Sequence, residues 1–255
     1  MRRVRIIPAL LIQKGGLVKS VRFKDHKYVG DPINAVKIFN EKEVDEIVLL
    51  DISATVEKRA PDIERIKEIA SEAFMPLGYG GGITKLEEIS ELIKGGVEKV
   101  ILNTVAFNNR RLISDGAKYV GSQSMVVSID VKKNLWGKYR VYITNGSKNT
   151  DLDPVSFARQ MEEAGAGEIL LNSIDRDGTF EGYDLDLIHS VSAAVGIPVV
   201  ALGGAGSIDD FRKSVQQGAS AASAGSLFVF QRPHRAVLIS YPTQAELKES
   251  LFKRI

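Results

Sequence analysis

Short runs of β-branched and other apolar residues recur along the chain, and between them the apolar positions return every three or four residues. The runs are Val4 to Leu11, Glu46 to Asp51, Met75 to Tyr79, Lys99 to Leu102, Met125 to Asp130, Glu168 to Asn172, Ile197 to Leu202 and Ala219 to Ala224. They predict eight strands, and the stretches between them predict amphipathic helices. Helix starts are marked by Asp31-Pro32 ahead of Ile33 to Phe39, Pro61-Asp62 ahead of Ile63 to Ala70, and Asp153-Pro154 ahead of Val155 to Ala164. An aspartate there can accept a free first-turn amide, and a proline loses nothing by lacking one. One helix per crossover is what neighbouring parallel strands require.

Such alternation fits a closed barrel or an open doubly wound sheet, and an internal repeat decides between them. Gly80-Gly81-Gly82 precedes a helix, Gly96, and a strand ending at Asn103-Thr104. Gly203-Gly204-Ala205-Gly206 precedes a helix, Gly218, and a strand ending at Gly225-Ser226. Glu46 and Glu168, Gly81 and Gly203, and Thr104 and Ser226 each lie 122 residues apart, about half the chain. Four β/α units followed by four similar ones predict a (β/α)8 TIM barrel with two-fold half-barrel repeat. The expectation is one domain over residues 1–255, with half-barrels of about 1–122 and 123–255. Gln13 to Gly30 and Asn134 to Thr150 read as the longest irregular stretches. The second contains a hairpin, Lys138 to Ile143, with a turn at Asn145-Gly146. Both follow strand C-termini, where barrels of this kind place their active sites.

Composition narrows the chemistry. With 255 residues, 44% of them hydrophobic, the chain suffices for one large core. It has no cysteine, which removes disulfides, thiolate nucleophiles and cysteine-ligated zinc. The 34 basic and 32 acidic residues leave a net charge of +2, without aromatics interleaved among scattered cations, so no nucleic-acid partner is expected. No apolar run is long enough to span a bilayer. The basic start Met1 to Arg5 leads into only a short apolar stretch without a cleavage site, so the expectation is a cytoplasmic protein with no membrane partner. His26, His189 and His234 have no metal-ligand spacing, and neither metal nor cofactor is expected.

Glycines between a strand and a helix start present backbone amides and the positive end of a helix dipole, so Gly80 to Gly82 and Gly203 to Gly206 read as two anion cups. Thr104 and Ser226 would each add a hydroxyl. Two cups imply a small molecule carrying two phosphates. The run Asn172-Ser173-Ile174-Asp175-Arg176-Asp177-Gly178-Thr179 delivers a polar cluster to the same rim.

Gly165 to Thr179 with Gly182-Tyr183-Asp184, Arg5-Ile6-Ile7-Pro8, Val29-Gly30-Asp31-Pro32, Leu50-Asp51-Ile52 and the two glycine runs resemble the cyclase subunit of imidazole glycerol phosphate synthase over almost the whole chain. That resemblance implies a partner glutaminase whose ammonia crosses the barrel and reacts with a bisphosphorylated ribonucleotide at the C-terminal face. It assigns phosphate binding to Gly81, Gly82, Thr104, Asp177, Gly178, Gly203, Gly204, Gly225 and Ser226. Lys19, Asp51, Asn103 and Ser173 are implied as further site residues, and Arg5, Glu46, Lys99 and Glu168 as an ammonia gate on the barrel floor.

The resemblance also implies two acid–base aspartates, on strands one and five. Asp130 matches the second, but Leu11 stands at the first. The internal repeat agrees, because superposing Ile7 to Lys14 on Val126 to Lys133 sets Leu11 opposite Asp130. Neighbouring Ile12 and Gln13 supply no carboxylate. Loss of a general acid or base costs on the order of a hundredfold to ten-thousandfold in rate. Leu10 to Lys19 and the tail Phe228-Val229-Phe230, Pro233 to Pro242, resemble a paralogous subgroup associated with glycosyl amidation. This implies that ammonia goes to an acetamido group of a surface-polysaccharide sugar, with a separate sugar amidotransferase as a further partner. The competing readings are a histidine-pathway cyclase and a non-catalytic scaffold that activates the glutaminase. The related isomerase of that pathway also needs a strand-one aspartate and lacks the gate.

Overall fold

The computed structural model describes residues 3–231 and 233–255; Met1 and Arg2 of the basic start lie outside them. In chain order the strands and main helices are β1 (Arg5–Gln13), β2 (Gly16–Val21), β3 (Lys24–Gly30), α1 (Pro32–Glu41), β4 (Ile47–Asp51), α2 (Ile63–Ser71), β5 (Leu77–Gly80), α3 (Leu86–Lys94), β6 (Lys99–Leu102), α4 (Thr104–Asn108) and α5 (Arg111–Val120). Then follow β7 (Met125–Lys133), β8 (Tyr139–Ile143), β9 (Lys148–Asn149), α6 (Pro154–Glu163), β10 (Glu168–Ser173), α7 (Leu185–Ser192), β11 (Val199–Leu202), α8 (Ile208–Gln216) and β12 (Ala221–Ala224). The C-terminal region holds α9 (Ser226–Val229), the short hairpin β13 (Phe230–Gln231) and β14 (Ala236–Val237), and α10 (Gln244–Leu247).

Eight parallel strands run β1-β4-β5-β6-β7-β10-β11-β12, and β12 pairs back onto β1, closing a (β/α)8 TIM barrel. The predicted helix starts hold: Asp31, Asp62 and Asp153 each accept a first-turn amide. Strand alternation sorts the core into two layers. Ile6, Leu10 and Ile12 face outward into the packing between sheet and helices, whereas Ile7 and Ala9 join Val48, Ile101, Val126, Leu170 and Val200 inside the barrel.

The stretch from Gln13 to Gly30 is not irregular. β1 continues past Leu11 and folds back through Lys14-Gly15, both at positive φ, so that Gln13 pairs with Gly16. A second turn at Arg22-Phe23, again with both φ positive, joins β2 to β3. Burial of Leu17, Val18 and Val29 holds this hairpin above the barrel rim. The predicted hairpin after strand five is present as β7-β8-β9, with Asn145 and Gly146 at positive φ in its turn. In the tail, Tyr241 packs against the Phe228 ring and donates its hydroxyl hydrogen to the Ile6 carbonyl at 2.9 Å, which ties the segment to the first strand.

Candidate active site

From floor to rim, the inward positions change from charged to apolar to polar. At the floor, Arg5 donates from Nη1 to Glu46 Oε2 at 2.5 Å and from Nη2 to Glu168 Oε1. Lys99 Nζ donates to both oxygens of Glu46, at 3.0 and 2.9 Å, and to Glu168 Oε2 at 2.7 Å. Both carboxylates are buried and each is held by both cations, so the four side chains form a closed ring of alternating sign. Burial acts to lower the Arg5 pKa, but hydrogen bonds and charges of Glu168 and Glu46 outweigh it and raise it, keeping the guanidinium charged. Above the ring lies the apolar, buried layer of Ile7, Val48, Ile101, Val126, Leu170 and Val200.

The upper lumen opens into a cleft lined by residues from β1, β2, β4, β5, β6, β7 and β10 and from the loops that follow them. Asp130 enters from β7 between two amides: Asn172 Nδ2 donates to Oδ1 and Asn103 Nδ2 to Oδ2, both at 3.1 Å. Burial pushes the Asp130 carboxyl up to about 7; the Asn172 hydrogen bond opposes this, the Asp177 charge adds to it, and the Asn103 bond opposes it. A carboxyl poised there can hold or release a proton near neutral pH. Leu11 lines the same cleft from β1. β1 and β7 are four steps apart in a ring of eight strands, so Leu11 faces Asp130 from directly across the lumen. Of the other carboxylates in the wall, Asp51 is tied into its own loop by the Ser53 and Ala54 amides and the Ser53 hydroxyl, and Asp177 accepts from Ser20 at 2.9 Å.

Lys19 rises from β2 into this wall and donates from Nζ to the Ala9 carbonyl. Burial lowers its pKa to about 8, with the Asp177 charge pulling the other way. Burial likewise raises the Asp177 carboxyl, chiefly against Lys19 and Ser20.

The two glycine runs are not equivalent. Gly81, Gly82 and Thr104 line the cleft, and so do Asp177 and Gly225, whereas Gly178, Gly203, Gly204 and Ser226 lie outside its walls. Gly82 has φ +72°, and a Cβ there would strike the Arg59 carbonyl; a Cβ on Gly204, at φ +111°, would strike the Gly182 carbonyl. Only glycine fits where these loops close on the strand ends. The expectation that the following helices offer free N-terminal amides is corrected. Glu88 Oε2 accepts from the amides of Thr84 and Lys85 at 2.7 and 3.0 Å, and Asp210 Oδ2 accepts from that of Gly206 at 2.9 Å. Both helices cap themselves, so an anion at either run would draw on the glycine amides and on the starts of the short α4 and α9.

Three placements escaped the sequence reading. Asn172 appears there only as part of a polar run, yet it clamps Asp130 from the neighbouring strand. Ser173 points away from the cleft and is buried. His26, which has no metal-ligand spacing in the sequence, sits in the cleft wall with Nε2 buried and without a hydrogen-bond partner among the described residues. Among the described residues no group of three or more histidines and carboxylates is arranged to hold a metal ion.

A family described as "Histidine biosynthesis protein" matches residues 5–233. The "Putative imidazole glycerol phosphate synthase subunit HisF" of Leptospira interrogans is 51% identical over 254 residues, covering 99% of this chain and 100% of its own. The "Putative imidazole glycerol phosphate synthase subunit hisF2" of Pseudomonas aeruginosa is 52% identical over 243 residues, covering 95% and 97%. The "Imidazole glycerol phosphate synthase subunit HisF" of Alkaliphilus metalliredigens is 44% identical over 248 residues, covering 97% and 95%. A closed eight-stranded barrel matched over nearly its whole length at such identities belongs to the histidine biosynthesis protein family, among the HisF-like subunits of imidazole glycerol phosphate synthase.

Proposed function

We propose that this chain is the ammonia-receiving subunit of a glutamine amidotransferase complex. A partner glutaminase docks under the charged floor, ammonia passes the Arg5, Glu46, Lys99 and Glu168 ring, and the apolar layer above favours neutral ammonia over ammonium. A phosphorylated small molecule is held at the rim by Gly81, Gly82, Thr104 and the Asp177–Gly225 side of the cleft. The acceptor is an acetamido group of a surface-polysaccharide sugar, worked on with a separate sugar amidotransferase, rather than the ribonucleotide of histidine biosynthesis.

The observation that carries this reading is Leu11 directly across the lumen from Asp130. Cyclisation by paired carboxylates needs a proton carrier on both sides, and leucine cannot supply one. A second reading, a cyclase-lyase of histidine biosynthesis, is favoured by the printed names of the relatives and by the poised Asp130.

The separating experiment is a cyclase assay of the purified chain with the bisphosphorylated ribonucleotide and excess ammonium. Turnover at an ordinary enzymatic rate, on the order of 10 per second, would establish the cyclase and discard the amidation reading. No turnover, with inorganic phosphate still binding at the rim, supports an acceptor other than that ribonucleotide.

A further inference from the structure

The side of the barrel opposite the charged floor carries an apolar feature that no step above uses. Of the eight large hydrophobic side chains left exposed among the described residues, Phe74 and Tyr119 stand ahead of barrel strands, at the floor end, whereas Tyr28, Val56, Leu135, Trp136, Val237 and Leu238 stand on segments that leave the C-terminal ends of barrel strands. The extreme case is the turn joining β7 to β8, where Leu135 is 98% and Trp136 81% exposed. This turn is not loose. Asn134 Oδ1 accepts from the Trp136 and Lys138 amides, both at 3.0 Å, Asn134 N donates to the Lys138 carbonyl, and Gly137 N donates to that of Asn134. The fold therefore holds a leucine and a tryptophan out in water in a fixed geometry.

The charge of the hairpin segment itself is one-sided. Residues 131–140 contain Lys132, Lys133, Lys138 and Arg140 and no carboxylate. Asp175 links this hairpin to the next one: its Oδ2 accepts from the Lys133 amide, and its carbonyl accepts from Arg22 Nε in the β2–β3 turn. There Arg22, Lys24 and Lys27 outnumber the exposed Asp25 beside Tyr28, which is 64% exposed, and Lys27 also donates to the Arg235 carbonyl at 3.0 Å. From these observations we propose that the C-terminal rim docks reversibly on an anionic bilayer surface, with Leu135 and Trp136 as the inserted tip and the lysines of both hairpins facing the headgroups.

An apolar tip backed by cations matches what interfacial anchoring uses, tryptophan at headgroup level and basic residues against anionic lipid. A protein partner fits less well. Leucine and tryptophan together offer roughly 400 Å2, about half of what each side of a stable protein interface buries. A second copy of this chain would bring two basic strips together. No helix among the described residues could cross a membrane, and an interfacial tip needs none. The inference is independent of which acceptor the cleft serves. Docked this way, the cleft would open toward the lipid surface.

Trp136 is the one tryptophan in the chain, so its emission reports on the tip alone. The full chain is mixed with vesicles containing phosphatidylglycerol, and in parallel with pure phosphatidylcholine. The expected result is sedimentation with the anionic vesicles, a blue shift of the emission, and quenching by brominated lipid. Trp136→Ala should weaken partition about tenfold. Lys132→Gln and Lys133→Gln should each weaken it about fivefold. These positions are exposed, so the variants keep the fold. Absence of partition at low salt would overturn the proposal, as would sedimentation without shift or quenching, which would mean charge attraction elsewhere on the surface. A fluorotryptophan signal at position 136 that broadens in membrane-free cell extract but not with vesicles would overturn it in favour of an acidic protein partner.

Discussion

Replacing Lys99 by methionine tests the floor ring. Lys99 Nζ makes three hydrogen bonds to Glu46 and Glu168, both buried, so its removal leaves two carboxylates sharing one guanidinium. Breaking a wholly buried ion pair from one side costs about 3–5 kcal/mol. Here the cost is smaller for two reasons. Arg5 still binds both carboxylates, and water reaches the ring, since the Lys99 and Arg5 side chains are 18% and 34% exposed. Half the full penalty, about 2 kcal/mol, is the reasonable size. For a chain of this length that corresponds to a fall in Tm of roughly 4–8 °C. Urea and thermal unfolding of Lys99→Met, Glu46→Gln and the double variant read this directly. Because the two side chains touch, the double variant should lose about 1–2 kcal/mol less than the sum of the singles. A loss below about 0.5 kcal/mol, or strict additivity, would refute a ring of interdependent charges. In the glutaminase complex the same Lys99→Met change should impair use of glutamine while leaving added ammonium usable. Equal loss with both nitrogen sources would remove the gate reading even if the stability result stands.

Two further outcomes follow from the lumen. Folded Asp130 keeps its proton up to about pH 7, whereas the unfolded chain releases it near 3.8. The native state therefore binds more protons across that window, and Asp130 should cost stability progressively as pH rises from about 4 to 7, by on the order of 2–4 kcal/mol. In Asp130→Asn this slope should vanish, so that the variant gains on the parent toward pH 8; a parallel pH profile in urea unfolding would show that the carboxyl is not desolvated. Leu11→Asp returns a proton carrier facing Asp130 and should raise turnover of the bisphosphorylated ribonucleotide at least about a hundredfold over the parent. An unchanged background, with the variant folded by circular dichroism, would mean that the lost acid is not what limits that reaction.

What the sequence disclosed depended on whether a feature was written in spacing and residue type or only in contacts made on folding. The closed barrel was legible because the half-chain repeat is a property of spacing alone, and the hairpin at Asn145-Gly146 because those residue types advertise a positive-φ turn. The β2–β3 hairpin was not, since Arg22 and Phe23 adopt the same positive φ without being residues that favour it; Arg22 is held there by its amide on the Asp177 carbonyl and its guanidinium on the Asp175 carbonyl, both distant in sequence. The self-capping of α3 and α8 was visible in principle. Ser207 and Asp210 stand at capping-box spacing, and Glu88 follows Thr84 and Lys85 within reach of their amides, so a carboxylate closes each helix end that the glycines alone suggested was open. Asn172 was hidden for a different reason: its partner Asp130 is distant in sequence and becomes its neighbour only through the parallel register of β10 on β7.

Leu11 shows how these levels combine. As a residue in a run of apolar residues it looks like ordinary core, and only alternation along β1 puts it on the lumen side, in line with Arg5, Ile7 and Ala9. Only barrel closure then sets it across from Asp130. That placement argues against the leucine being a neutral substitution. An aspartate facing Asp130 would put two carboxylates in a desolvated space, where one of them has to hold a proton, a cost that an enzyme bears only if its reaction uses both. With leucine there, no second carboxyl faces Asp130 across the lumen, and Asp177 is the neighbouring charge that raises it. The floor ring is undisturbed by this change, because the apolar layer separates the two. On the proposed function, entry from below and the reaction at the top are thus separable, and a different reaction at the rim leaves the floor as it is.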